Sequence, residues 1–144
     1  DRFKEINDTF GHAAGDKVIE GYAALLRDAS SGVHTIGRIG GEEYAVALAH
    51  CNAATAKLFA ESVRAAFADA EIEGLPPERR FSASFGVAGL ERGETPAQLM
   101  ERADAALYEA KHAGRNCVKL ATPRPSTVQM PYRLARDGAA VTRL

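Results

Sequence analysis

The stretch Arg38-Ile39-Gly40-Gly41-Glu42-Glu43-Tyr44 limits what this chain can become more than any other. It separates two apolar runs, Val33 to Ile39 and Tyr44 to Ala49. In the second, Tyr44, Val46 and Leu48 alternate with small alanines, the pattern of a half-buried strand. A Gly-Gly pair between two such runs predicts a tight hairpin, because glycine supplies positive φ without steric cost and primed turns match the twist of the strands. The carboxylates of Glu42 and Glu43 then sit at or beside the hairpin tip. Adjacent carboxylates repel, so a chain needing only a turn does better with Asn-Gly or Asp-Gly. Two interpretations stand level on spacing alone: a solvated acidic turn, or a pair placed to share a divalent cation.

Around this hairpin the remaining elements follow in order. Asp1 to Asp16, with two glycines and Asn, Asp and His side chains, suits a structured loop or a short helical turn. From about Ala14 to Ser30, Val18, Ile19, Tyr22, Leu25 and Leu26 mark one apolar face of a helix. Asn52 is an expected N-cap for a second helix to about Ala70, with Ala56, Phe59, Ala60, Val63 and Phe67 inward. Glu71 to Arg80 is a loop, and Phe81 to Leu90 alternates as a strand. Thr95-Pro96-Ala97-Gln98 combines a capping box with proline at the first helical position, and Gly114 ends that helix. Asn116 to Leu120 completes the pattern as a last short strand. Beyond Ala121 the prolines at 123, 125 and 131 and the scattered arginines have no period, so residues 121–144 are expected to be a tail or linker without a core of their own.

A length of 144 residues with 46% apolar residues fits one α/β or α+β domain. The net charge of −1 gives no global field for a nucleic acid polymer or an anionic membrane. Cys51 and Cys117 fit no metal spacing and are expected to be buried thiols in a reducing cytoplasm. No run is long and apolar enough to span a bilayer, so this segment is expected to make no membrane contact and to work in the cytoplasm, alone or as part of a larger sensor. The abrupt start at Asp1 suggests a fragment of something longer.

Three groups of side chains outside the core have chemical potential besides the hairpin. Lys111 and Arg115 bracket the end of the third helix, where they either complement its dipole or, beside a ligand, clamp a triphosphate. Asn7 and Asp16 frame the opening segment. A carboxylate there can accept from the N1–H and amino group of guanine while an amide bonds another edge, and adenine offers the opposite pattern. His12 is best taken as a brace for that loop. A metal site, a guanine reader and a phosphate clamp in one small domain point the same way.

The chain resembles the GGDEF family of diguanylate cyclases over residues 1–120. The resemblance rests on Asp-x-Phe-Lys-x-Ile-Asn-Asp-x-x-Gly-His-x-x-Gly-Asp at 1–16, Arg-x-Gly-Gly-Glu-Glu-Tyr at 38–44, Ser-Phe-Gly-Val-Ala at 84–88, and Ala-Asp-x-Ala-Leu-Tyr-x-Ala-Lys-x-x-Gly-Arg-Asn at 103–116. It implies a nucleotidyl-cyclase-like and palm-like fold, a mainly antiparallel central sheet flanked by helices, with a domain over 1–120 that lacks its first strand here. It implies condensation of two GTP into cyclic di-GMP with release of pyrophosphate, across a homodimer of half-sites. By motif position Asn7 and Asp16 would read guanine, His12 would line the pocket, and Lys111 and Arg115 would hold phosphates. Glu42 would bind Mg²⁺, or Mn²⁺ in its place, and help activate the attacking hydroxyl, with Glu43 supporting metal and phosphates. The alternative is a catalytically silent domain that binds GTP or cyclic di-GMP to regulate a neighbour.

Three departures from the family's pattern carry expectations. The metal-binding aspartate of the first strand would fall two residues before Asp1. Tyr44 replaces the usual Phe, at a small expected cost. Ser31-Gly32-Val33-His34 stand where relatives carry an Arg-x-x-Asp inhibitory site, so no product inhibition is expected there.

Overall fold

The computed structural model describes residues 1–30, 32, 34–124 and 140–144. Its sheet runs in the order β1-β2-β5-β3-β4, where β1 is Thr35–Arg38, β2 Tyr44–Leu48, β3 Phe85–Gly89, β4 Val118–Leu120 and β5 Ala140–Arg143. Every pairing is antiparallel except β3 with β4. The helices are α1 (Phe3–Phe10), α2 (His12–Ala29), α3 (Ala53–Ala68) and α4 (Pro96–His112). This is the mixed α+β, mainly antiparallel architecture that the sequence implies.

The main core joins α2 and α3 to one sheet face: Val18, Tyr22 and Leu26 meet Ala56, Ala60 and Val63 over Val46, Phe85 and Val87. The other face carries α4, with Leu99 and Ala103 against Ala88 and Val141. Gly86 makes that contact possible. A Cβ there would lie 2.0 Å from the Ala103 carbonyl oxygen and 2.3 Å from the Leu107 nitrogen, so only glycine lets the helix backbone come this close.

Helix ends follow the expected chemistry. The Asn52 side chain accepts from the Thr55 N–H at 2.9 Å, and both bonds of the capping box between Thr95 and Gln98 are formed. Gly114 adopts φ 106°, and the Arg115 N–H reaches back to the Ala110 carbonyl at 3.0 Å, closing a Schellman motif just past the end of α4. Cys51 is buried, Cys117 half-buried, and both are free thiols.

Four expectations are corrected. The opening segment is a helix, α1, followed almost at once by α2. Its side packs on α2 through buried Ile6 and half-buried Phe3, and such tertiary packing carries short helices that propensity alone does not. The hairpin is not a two-residue primed turn, since neither Gly40 nor Gly41 has a positive φ. Instead residues 39–43 wrap around the Glu43 carbonyl, which accepts from the Ile39 N–H at 2.9 Å and the Gly40 N–H at 3.3 Å, and Arg38 donates to the Gly40 and Gly41 carbonyls. The strand expected from Phe81 begins only at Phe85; Phe81 and Ala83 are buried but outside the ladder.

The largest correction concerns the expected tail. Residues 125–139 lie outside the described residues, but Ala140–Arg143 form β5 in the middle of the sheet, between β2 and β3. Ala140 and Thr142 are fully buried there. A strand covered on both faces shows no alternation, and four residues are too few to reveal one. Among the described residues no helix is long and apolar enough to cross a membrane.

Candidate active site

The hairpin tip, the end of α4 and the start of the chain converge on one cleft. Its mouth carries Asp1, Glu42, Glu43 and Lys111, and its floor is apolar, with Tyr22 and Phe81. Glu42 is exposed, and among the described residues it makes no ion pair. Glu43 is half-buried and engaged on both oxygens. Lys111 Nζ lies 3.2 Å from Oε1, and Arg143 Nη2 lies 3.3 Å from Oε2. Burial pushes the Glu43 carboxyl up, but the hydrogen bond and charge of Lys111, joined by those of Arg143, outweigh it and hold the group below the usual carboxylate range.

Asp1 is anchored by three donors. Ser84 Oγ lies 2.8 Å from one carboxylate oxygen, and Ser82 Oγ (3.1 Å) and the Asn116 N–H (3.2 Å) reach the other. A carboxylate held this way is oriented before any ligand arrives. The serines sit just ahead of β3, and Asn116, at φ 46°, follows the Schellman turn, so the third and fourth motifs meet at Asp1.

The other expected site residues lie elsewhere around α1 and α2. Asn7 packs against α2 at Gly15, where a Cβ would lie 1.9 Å from the Asn7 Oδ1. That oxygen is buried and has no hydrogen-bond partner among the described residues. His12 opens α2 and Asp16 lies in its second turn; both are exposed, and neither lines the cleft. Arg115 is exposed in a left-handed backbone conformation, φ 65°, and does not line the cleft. The structure therefore gathers Glu42, Glu43 and Lys111 at one mouth and leaves Asn7, His12, Asp16 and Arg115 around it.

With this geometry, comparison with known proteins is decisive. Residues 1–117 match the family described as diguanylate cyclase, GGDEF domain. The chain belongs to the GGDEF diguanylate cyclase family. This GGDEF domain is 42% identical over 118 residues to the diguanylate cyclase DgcM of Escherichia coli strain K12, covering 82% of this chain and 28% of that protein. It is 40% identical over 121 residues to diguanylate cyclase A of Treponema denticola, covering 83% of this chain and 33% of that one. The chain thus spans a third or less of the length of these curated relatives. The active GGEEF domain of a diguanylate cyclase from Vibrio cholerae superposes with a TM-score of 0.81 at 36% identity, over 86% of this chain and 79% of that one. The coiled coil and GGDEF domain of DgcB from Caulobacter crescentus, solved with cyclic di-GMP, gives 0.78 at 32% identity, over 84% and 65%.

The family carries a general dependence on a divalent metal. Among the described residues of this GGDEF domain, no three His, Cys, Asp or Glu side chains gather to hold one. Mg²⁺, however, commonly takes only one or two protein carboxylates and completes its shell with water and phosphate oxygens. The donor chemistry of Glu42 fits that pattern directly, whereas that of Glu43 fits once its two cations release it.

Sequence reasoning passed over Asp1 and Arg143. Asp1 had a signal, a carboxylate opening the first motif, but its partners Ser82, Ser84 and Asn116 are more than 80 residues away. Arg143 had none, because it sits in a stretch without period. Of the inhibitory-site positions, 31 and 33 lie outside the described residues.

Proposed function

We propose that this protein is a diguanylate cyclase that supplies one half-site, and that two copies meet face to face to condense two GTP into cyclic di-GMP. Each 3′-hydroxyl attacks the α-phosphate of the other nucleotide, one new phosphodiester bond forms per attack, and pyrophosphate leaves. The observation that carries this reading is the intact Gly40–Glu43 hairpin, holding two carboxylates beside Lys111 over a cleft.

Glu42, which makes no ion pair among the described residues, would hold the cation and assist the attacking hydroxyl, with Glu43 in support. Lys111 and Arg115 balance phosphate charge, the ammonium as a point charge and the guanidinium as a fork. Asn7 and Asp16 read guanine. The buried Asn7 Oδ1, without a hydrogen-bond partner among the described residues, supports this role, because a base donor would remove the cost of leaving it unpaired. His12 lines the nucleotide pocket. Glu42, with support from Glu43, would hold Mg²⁺, or Mn²⁺ in its place, and the ion would supply the positive charge that phosphoryl transfer needs.

The test is incubation of the full-length protein with GTP and Mg²⁺ over a range of protein concentrations, with products resolved by chromatography. Cyclic di-GMP formed at a rate steeper than first order in protein supports two half-sites. Nucleotide binding without product would make the protein a silent regulatory domain instead.

A further inference from the structure

Just past α4 the backbone is left-handed at three successive residues, Gly114 at φ 106°, Arg115 at 65° and Asn116 at 46°. Glycine takes that region freely and asparagine tolerates it. For arginine it is costly, and a chain keeps such a conformation only where its surroundings impose it. Here the constraint acts through Asn116. The Asn116 N–H donates to Ser84 Oγ at 3.1 Å and to Asp1 Oδ2 at 3.2 Å. Ser84 is buried and donates to the other Asp1 oxygen at 2.8 Å. The Asn116 Oδ1 accepts from Nη1 of Arg64, on α3, at 3.0 Å. Glu61, one turn earlier on α3, accepts from Arg64 Nε at 2.8 Å and so aims the guanidinium. The next carbonyl, that of Cys117, accepts from the Phe85 N–H at 2.9 Å.

All of these bonds fix backbone next to Arg115, whose own side chain is exposed. Its direction is therefore set by the backbone that carries it rather than by packing, and a return to the right-handed region would turn it off its present line. We propose that Arg64 and Asn116 are positioning residues for the phosphate clamp: Arg64 holds Asn116 in the left-handed turn, and the turn aims Arg115 at the triphosphate of a bound nucleotide. The inference rests on the reading of Arg115 as a phosphate ligand and goes beyond it by bringing α3 into the clamp.

The experiment is calorimetric titration of the full-length protein, in Mg²⁺, with 3′-deoxy-GTP and with 3′-deoxy-GMP. Both lack the attacking hydroxyl and are not consumed. The variants are Arg64→Met, Asn116→Gly, the two combined, and Arg115→Ala, with circular dichroism confirming the fold. Arg64→Met is expected to weaken triphosphate binding about fivefold, the worth of one hydrogen bond, and to leave monophosphate binding within about twofold. Asn116→Gly keeps a left-handed backbone but loses the bond from Arg64, so it should lose the same factor, and the combined variant no more than either alone. Native triphosphate affinity in Arg64→Met, or equal weakening of both nucleotides, would overturn the proposal, the second by marking Arg64 as merely structural. Arg115→Ala tests the underlying reading: triphosphate affinity retained there would show that Arg115 holds no phosphate, and the proposal would fall with it. Affinity lost in Arg115→Ala but kept in Arg64→Met would sink the proposal alone.

Discussion

Glu42 and Gly86 show how single residues carry opposite kinds of weight here. Glu42 is exposed and makes no ion pair among the described residues, so its truncation removes chemistry and little else. Glu42→Ala is expected to keep the native melting temperature within about 2 °C, as surface changes usually do, and to lose cyclic di-GMP synthesis in a chromatographic assay. Full activity in the folded variant would remove Glu42 from the mechanism. Gly86 touches no ligand, yet a methyl group there collides with the backbone of α4. Gly86→Ala forces apart a helix and a strand that cannot yield locally, and overpacking of this kind costs about 3 kcal/mol. Urea denaturation should read that loss as a lowered midpoint, and a midpoint unchanged from native would show that α4 can shift.

At the scale of elements, α4 ties the molecule together, and Arg102 is its strongest knot. Its guanidinium donates to Glu94 at 2.7 and 2.9 Å, and also reaches the Gly89 carbonyl at the end of β3 and the Thr122 carbonyl beyond β4. The Glu94 side chain is fully buried. Breaking a buried pair from one side strands the remaining charge, so Arg102→Ala is expected to cost about 3 kcal/mol. The check is equilibrium unfolding of Arg102→Ala beside Arg102→Ala/Glu94→Gln, which should recover part of the loss. The same scale explains the hairpin. Its shape comes from the Arg38 guanidinium and the Glu43 carbonyl rather than from left-handed glycines, so Glu43 serves the turn with its backbone and the cleft with its side chain.

For the whole molecule the clearest expectation concerns pH. The hydrogen bond from Arg102 holds the Glu94 carboxyl below its usual range despite burial, and Lys111 and Arg143 do the same for Glu43. A carboxylate whose folded pKa is depressed binds protons less readily in the native state than in the unfolded chain. Its contribution is therefore complete above the ordinary glutamate value of 4.5 and drains away as pH falls through the lower folded value. Urea midpoints should show no loss from these two groups between neutral pH and about 5.5 and should drop below about 4.5. Arg102→Ala should flatten part of that acid slope, and an identical slope would mean Glu94 does not drive it.

Much of this protein was legible in its residues one neighbourhood at a time. The caps at Asn52 and Thr95, the glycine stop at 114, the alternation of Tyr44, Val46 and Leu48, and the apolar stripes of α2, α3 and α4 are local signals, each set by backbone chemistry within a few positions. They sufficed for the mixed fold and for a hairpin bearing two carboxylates. Tertiary structure decided what depends on partners far along the chain. It made a helix of residues 3–10 because α2 offers a face for Ile6, put residues 140–143 in the middle of the sheet where burial on both sides erases any period, and brought Asp1 to Ser84 and Arg143 to Glu43. Those contacts join residues 83 and 100 positions apart, and no pattern within either segment encodes the charge waiting in the other.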